Sequence, residues 1–423
     1  MSDLVHNKFR KGTRFSVSWP SIPSLKSQPL RIDLIQKEFF HDVAILEYSV
    51  VSPLYFDMIK TGVLVEFTWV QEKITRSWVG YVSSIDRVVN TRRDIVMKIH
   101  CVGASYPLKQ RVTRIFTNST IPEAVETIAK EFGLNYIGEN HSRRFEQLSI
   151  AGHSYWEWMQ EQARRIGYAL VIDGTNLFFK PLDEIIDETF SSTPVMSFTP
   201  IPSTVNTLYE DRTLDYFKAL NGEHIETSKE LRMNKVVGGV DPITSKTSVV
   251  SYSPGASGRS IRDTVSDVLF DDIKTGEVTH GGNSTALAAQ GIANSSRFSL
   301  PADAKGQGDP RFKPFRTVLI TGTGEQTDGY WLIKEVHHTL HRSGDYKAEL
   351  KLATDGLGKT TESSFRNRDK TLQGSVNLNQ ALKNKGKHSA VFSRAETKAV
   401  FSTNIVKVGN QGYNRTPAQW RAV

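Results

Sequence analysis

Between Arg31 and Val102 apolar and polar residues trade places in short runs, Arg31–Ile35, Asp42–Val50, Leu64–Val70, Ser77–Asp86 and Ile95–Val102, with polar turns between them. A period of two over such short stretches predicts strands rather than helices, so this region reads as a mostly antiparallel β domain. Several runs alternate imperfectly, as in Val63-Leu64-Val65-Glu66-Phe67, which predicts strands covered on both faces in places.

The period changes at Asn118. Thr120-Ile121-Pro122-Glu123 forms a capping box, in which the Thr hydroxyl accepts from the third amide on and Glu123 reaches back. Ile121, Val125, Ile128, Ala129 and Phe132 then fall on one helical face, and Gly133 is placed to end the helix. The same device recurs at Ser154-Tyr155-Trp156-Glu157, with Tyr155, Trp158, Met159, Ala163 and Ile166 along the helix and Gly167 as its stop. Tyr168–Ile172 and Leu177–Lys180 follow, joined by Asp173-Gly174, the signature of a tight hairpin. Residues 111–190 are therefore expected to be a compact α/β module inserted after the first β domain.

Ser191–Val205, rich in Pro, Ser and Thr, reads as a linker. A strand near Lys235–Gly239, a Gly/Ser loop around Ser253–Ser260 and a short helix near Ser284–Asn294 come next. Strands return at Thr317–Thr323, Gly329–Val336 and Tyr346–Leu352. These last strands overlie the first domain at a fixed shift of 251 residues, pairing Val82 with Ile333, Ile85 with Val336, Asp94 with Asp345, Ile99 with Leu350 and Cys101 with Leu352. Either the shift marks two related β modules in one chain, or it is what any two antiparallel hairpins share.

The chain has 423 residues, enough for two to four folding units. Apolar residues make up 38% and charged residues 23%, a balance that favours a folded, strand-rich chain. The net charge is +8, but residues 351–423 hold 13 of the 53 Lys/Arg and only 4 of the 45 Asp/Glu, so residues 1–350 carry 40 basic against 41 acidic groups. The body is neutral and the basic excess sits in one tail, which argues against a nucleic-acid-binding body. Lys383, Lys385 and Lys387 in that tail suit solvent or an acidic protein surface. Cys101 is the sole cysteine, which excludes an intrachain disulfide and a Cys-based zinc site. No window approaches the roughly eighteen apolar residues that span a bilayer, and Met1–Gly12 lacks the apolar run of a secretory signal.

Candidate chemistry is sparse. Gly358-Lys359-Thr360 fits only the loosest phosphate-loop pattern, and Thr361–Lys370 has no apolar helical face to support one. His337, His338 and His341 lie on one strand, where neighbours face opposite ways and positions four apart are about 13 Å apart, so they cannot share a metal. Asp271-Asp272 and Glu157 with Glu161 are carboxylate pairs, but a glycosidase needs two carboxyls about 5 to 9.5 Å apart in a cleft. Glu157 is accounted for by the capping box, and Glu161 can pair with Arg164 or Arg165 at helical spacing. No Gly-x-Ser-x-Gly elbow or His-Glu-x-x-His occurs. No catalytic residue, metal ligand or cofactor is expected.

Two stretches carry a family resemblance. One runs Ile115-Phe116, Thr120, Val125, Ile128-Ala129, Phe132-Gly133-Leu134, then Tyr155-Trp156-Glu157-Trp158-Met159, Ala163, Gly167-Tyr168 and Leu177-Phe178-Phe179. The other is Asp328-Gly329-Tyr330-Trp331-Leu332-Ile333, Val336-His337-His338, Gly344-Asp345-Tyr346 and Leu350-Lys351-Leu352. In order and spacing these resemble the phage late control protein D family, baseplate hub proteins of phage tails that share their fold with the hub part of type VI secretion spike proteins. The resemblance covers roughly residues 30–355.

It implies a mainly β, α+β fold: two tube-like antiparallel β-barrel domains at 1–110 and 191–358, the α/β module at 111–190, and a basic C-terminal arm at 359–423. It implies a structural, non-enzymatic late protein of the virion tail baseplate, assembled in the host cytoplasm. Three chains with two look-alike barrels each would make a homotrimeric, pseudo-six-fold ring, a symmetry adaptor between the six-fold tail tube and a three-fold spike. The implied partners are a tail tube or distal tail protein, a spike, the tape-measure protein and the baseplate wedge, with no membrane and with DNA only passing through the channel. Spike-fused members continue into a further barrel and a needle; nothing after Gly358 looks like either, so the spike is expected to be a separate chain. Alternatives from other classes are a tail-associated peptidoglycan hydrolase and a DNA-contacting tail protein.

Overall fold

The computed structural model describes residues 12–50, 57–89, 95–140, 144–190, 192–198, 211–219, 298, 300–324 and 327–354, and strands at 233–240, 247–252, 270–278, 405–408 and 411–414. The N-terminal segment to residue 11, Asp94, the loop around Ser253–Ser260, the helix expected near Ser284–Asn294, the Gly358-Lys359-Thr360 stretch, the lysines at 383, 385 and 387 and most of the C-terminal arm lie outside the described residues.

Six strands make the first β unit: β1 (Arg14–Ser18), β2 (Arg31–Lys37), β3 (Val43–Val50), β4 (Leu64–Gln71), β5 (Ile74–Val89) and β6 (Ile95–Gly103). They hydrogen-bond in the order β1-β4-β5-β6-β3-β2, every pairing antiparallel. Alternation drives the fold here: Ile32, Leu34, Leu46, Val65, Phe67 and Trp69 point inward and are fully buried or nearly so, with Val17 and Trp19 closing over them. The open β1–β2 side is bridged by one side chain. Gln28 accepts from the Val17 amide at 2.7 Å and returns a bond from Nε2 to the Val17 carbonyl at 3.1 Å.

A second group follows: β7 (Arg111–Thr120), α1 (Ile121–Glu131), β8 (Asn135–Gly138), β9 (Arg144–Ser154), α2 (Tyr155–Ile166), β10 (Tyr168–Asp173), β11 (Asn176–Pro181) and α3 (Leu182–Phe190). Both expected capping boxes form, with Thr120 and Ser154 each accepting from the third amide and Glu123 and Glu157 bonding back. Gly133 and Gly167 have φ of 68° and 71°, the left-handed values expected of helix stops. The β10–β11 hairpin turns at Gly174, φ 63°. The β7–β9 ribbon and α3 were not expected from periodicity. α3 is short and rich in acidic residues, and it lies against the sheet through Ile185 and Ile186.

The remainder comprises β12 (Val195–Ser197), β13 (Arg212–Ala219), β14 (Met233–Val240), β15 (Thr247–Tyr252), β16 (Phe270–Val278), β17 (Leu300–Gln307), β18 (Thr317–Thr321), β19 (Gly329–His341), β20 (Tyr346–Thr354), β21 (Ile405–Val408) and β22 (Gln411–Asn414). β14–β16 form a separate three-stranded sheet, which accounts for the strand expected near Lys235–Gly239, and β21–β22 a hairpin. The other six close into a barrel, β12-β18-β19-β20-β17-β13, sealed by β13 pairing with β12.

The stretch expected to be a linker therefore contains the closing strand. Met196 is fully buried between β13 and β18 despite the Pro, Ser and Thr around it. β12 runs parallel to both neighbours, so the second unit departs from an all-antiparallel barrel at this one strand.

Strand order in the two units is the same once β1–β6 are matched to β12, β13, β17, β18, β19 and β20 in turn. The match extends to register. Val82 pairs with Cys101 and Ile85 with Ile99, with a bulge between Val82 and Ser84. Ile333 pairs with Leu352 and Val336 with Leu350, with a bulge between Ile333 and Glu335. The shift of 251 residues thus carries one hairpin onto the other, extra residue included, which two unrelated hairpins would not share.

Candidate assembly interface

The two units join edge to edge. β2, the last strand of the first unit, pairs antiparallel with the C-terminal half of β19, from Glu335↔Lys37 to His341↔Arg31, while β20 holds the other edge of β19. One continuous twelve-stranded sheet results among the described residues.

Arg76 on β5 pins this joint. Its Nη1 donates to the carbonyls of Phe312 at 2.9 Å and Pro310 at 3.2 Å, its Nη2 donates to Gln36 Oε1, and its Nε lies 3.9 Å from Asp173. The guanidinium also stacks over Trp69 at 5.0 Å. A single buried cation therefore touches both β units and the α/β group. Gln36 passes the contact on, donating to Asp42 at 2.5 Å. Burial pushes the Asp42 carboxyl up to about 7 against the opposing pull of Gln36 and Arg76. Burial would raise Asp173 too, but Arg76 and Lys313 hold it below the usual carboxylate range.

A second buried network ties the β4–β5 turn to the second unit. Arg212 on β13 donates through Nε to Asp309 and through Nη1 to Glu72, both at 2.7 Å. Asp309 also accepts from the backbone and side chain of Arg311 at 2.8 to 2.9 Å. Burial alone would raise Asp309, yet hydrogen bonds from Arg311 and the charge of Arg212 keep it low. Glu72 sits at φ 56° in the turn, the conformation that brings its carboxylate over β13.

The α/β group is seated on the same joint. Phe39 meets Phe315 edge to face at 5.3 Å and lies under Arg164 at 4.7 Å, and Lys313 reaches Asp173. Lys334 and Glu38 add an ion pair at 2.9 Å.

Several of the residues weighed for chemistry have structural partners. His338 is fully buried; because Arg76 can only donate, His338 Nε2 accepts at 3.4 Å and its Nδ1 proton faces Tyr346 at 2.8 Å. Burial and then Arg76 keep this imidazole neutral, far below its ordinary range. His337 faces the other way, 3.2 Å from Asp33. Among the described residues no group of three or more His, Cys, Asp or Glu could hold a metal. Cys101 is buried, and burial pushes its thiol up to about 12. Glu157 serves its helix cap, and Asp271 and Asp272 lie side by side on β16. Among the described residues no helix is long and apolar enough to cross a membrane.

Arg76, Arg212 and Asp309 were not singled out from sequence. Their partners lie as far as 262 residues away, and a lone charge in a strand carries no local signal.

No protein-family model matches the chain, and no curated protein matches it in sequence. Solved structures do match. A tail protein from Neisseria meningitidis MC58 is 12% identical, with a TM-score of 0.56 over 82% of this chain and 98% of that one. The 43 kDa tail protein of prophage MuSo2 from Shewanella oneidensis is 13% identical, with a TM-score of 0.52 over 82% and 99%. An Escherichia coli component of the type VI secretion system is 9% identical, with a TM-score of 0.50 over 82% and 79%. At such identities the likeness is one of fold, and it spans both β units. The chain has the mainly β fold of these phage tail and type VI secretion proteins, the fold that the sequence resemblance implied.

Proposed function

We propose that this chain is a structural baseplate hub protein of a phage or phage-like tail, three copies of which form a pseudo-six-fold ring joining a six-fold tube to a three-fold spike. The observation that carries the reading is the duplication: two units with one strand order, one hairpin register and one bulge place. Three chains of two such units present six near-equivalent positions on one face and three-fold symmetry on the other. The fold likeness to phage tail proteins supports the setting.

The domain division goes with this proposal: β units at 1–110 and 191–358, the α/β module at 111–190 and the basic arm at 359–423. Work is done by interfaces rather than by catalysis, with the ring, the tube above, the spike below, and the tape-measure protein and wedge as further neighbours in the virion. Mass measurement of the purified chain, alone and with the spike encoded beside it, tests the reading. The expected result is a species three times the 47.4 kDa chain that takes up one spike trimer. A strictly monomeric protein that ignores the spike would overturn it.

A further inference from the structure

The joint inside one chain has a counterpart that the chain leaves open. Within the chain, β2 pairs with residues Glu335–His341 of β19, beyond the point where β18 ends its pairing at Leu332. By the hairpin match, the same stretch of β5 begins at Ser84. β4 ends its pairing at Tyr81, so among the described residues Ser84–Val89 has a ladder partner on the β6 side only. The counterpart of β2 is β13. Among the described residues β13 has no ladder partner on its β12 side beyond Thr213, and Tyr216 there is 44% exposed. Each chain therefore carries, at its two far ends, the two halves of a joint that it has already made once in its middle.

The register follows from the ladders. Glu47 pairs with Lys98, and Lys305 with Glu349, which equates Glu47 with Lys305 across the hairpin match. Arg31 opposes Glu47 and Tyr216 opposes Lys305, so Arg31 corresponds to Tyr216. The template pairs Leu340↔Ile32, Thr339↔Asp33 and His338↔Leu34 then become Val89↔Phe217, Val88↔Lys218 and Arg87↔Ala219.

We propose that Arg87–Val89 of β5 pairs antiparallel with Phe217–Ala219 of β13 in a second copy of this chain, repeating between subunits the β2–β19 joint. This rests on the trimer reading and adds which edges meet and in what register. The side chains agree with it. Ile32 and Leu34 face the first core in the template, and their counterparts Phe217 and Ala219 face the second. The Arg87 stem meets small Ala219, and its side chain is 46% exposed in the isolated chain. Because the contact is head to tail, each subunit uses one edge of each kind and the ring can close with none left bare.

The test is cysteine cross-linking of the full chain carrying Val88→Cys and Lys218→Cys; native Cys101 is buried and does not compete. Oxidation is expected to give a covalent three-chain ring on denaturing gels, about tenfold above either single variant, since directly opposed strand positions suit a disulfide. The control Ser84→Cys with Lys218→Cys, out of register by about 13 Å, is expected to stay uncoupled. In the unaltered protein, the Arg87–Val89 amides are expected to be protected from hydrogen exchange in the trimer. A trimer by mass whose double variant couples no better than the control, or whose Arg87–Val89 amides exchange freely, overturns this pairing and leaves the trimer standing. A chain that is monomeric at every concentration overturns both.

Discussion

In the first β unit Trp78 lies across Gly80, where a Cβ would stand 2.2 Å from the indole and 2.5 Å from the Val102 carbonyl. In the second unit the two residue types trade places. Gly329 occupies the position of Trp78, and Trp331 that of Gly80, with the indole donating to Thr327 at 3.0 Å and packing on Phe217. Each unit fills its interior with one tryptophan at this place, entering from a different residue; the first leaves Gly80 no room for a side chain, and the second has Gly329 at φ 139° where the first has the ring. The cores around them differ likewise. The first is lined with Trp19, Tyr48, Phe67 and Trp69, the second with Met196, Ala302, Ala304 and Ala348. Backbone order, register and bulge persist while side chains diverge, because packing tolerates many fillings of one volume whereas register admits no partial change.

The strongest way to break the comparison is to remove what holds the two units together. Arg76→Ala deletes the cation that binds Gln36, two carbonyls of the second unit and Asp173, leaving buried acceptors unmatched. A loss of about 3–5 kcal/mol is expected in urea denaturation, since breaking a buried ionic contact from one side costs about that much. Unchanged stability would mean that the β2–β19 ladder and the Arg212 network hold the units together without it.

The buried carboxylates of the two units answer pH with opposite signs. Asp309 is held below its ordinary range, so its contribution is present above about pH 4 and is lost as pH falls through its lower folded value. Asp309→Asn leaves Arg212 short of a charge and is expected to cost about 3 kcal/mol at pH 7. Asp42 is raised to about 7, so its favourable, protonated state is complete below about pH 4 and is lost as pH rises through 7. Asp42→Asn is expected to gain about 3–4 kcal/mol at pH 8 and nothing at pH 4, read from denaturation midpoints at the two pH values. Gains of one sign for both variants would refute the contrast.

How much of this was legible depends on range. Capping boxes and their glycine stops act over a few residues, so Thr120, Glu123, Gly133, Ser154, Glu157 and Gly167 could be placed from sequence and stand where expected. Strands with alternating branched residues were legible too, and the resemblance gave the fold. β17 was not, because beyond Leu300 its buried positions are Ala302, Ala304 and Gly306, small residues that carry little hydrophobic signal. β12 was hidden by its Pro and Ser neighbours, and the Arg76 and Arg212 networks by sequence separations as large as 262 residues. The repeat shift was visible as a weak pattern; the shared strand order, register and bulge distinguish it from coincidence.

A smaller effect is expected at the seams. The second unit is sealed by backbone pairing of Met196 and Ser197 with β13, the first by the Gln28 amide on Val17. Gln28→Ala is expected to cost about 1–2 kcal/mol, two hydrogen bonds' worth, and to speed hydrogen exchange at the Val17 amide while leaving the second unit unaltered. Equal acceleration in both units would show that they open as one body rather than seam by seam.

The smallest effect should come from the charges that the two units carry in reverse. Glu47 opposes Lys98 in the first and Lys305 opposes Glu349 in the second, at equivalent places, 3.9 and 3.1 Å apart and largely open to solvent. Glu47→Lys with Lys98→Glu gives the first unit the second unit's order. Screened surface pairs contribute about 0–1 kcal/mol, so the double exchange is expected to leave stability within about 0.5 kcal/mol, while Lys98→Glu alone, placing two carboxylates opposite one another, loses about as much. If the double exchange preserves the fold but lowers the trimer mass signal, then the sign of this pair belongs to the contact between chains and not to the unit that bears it.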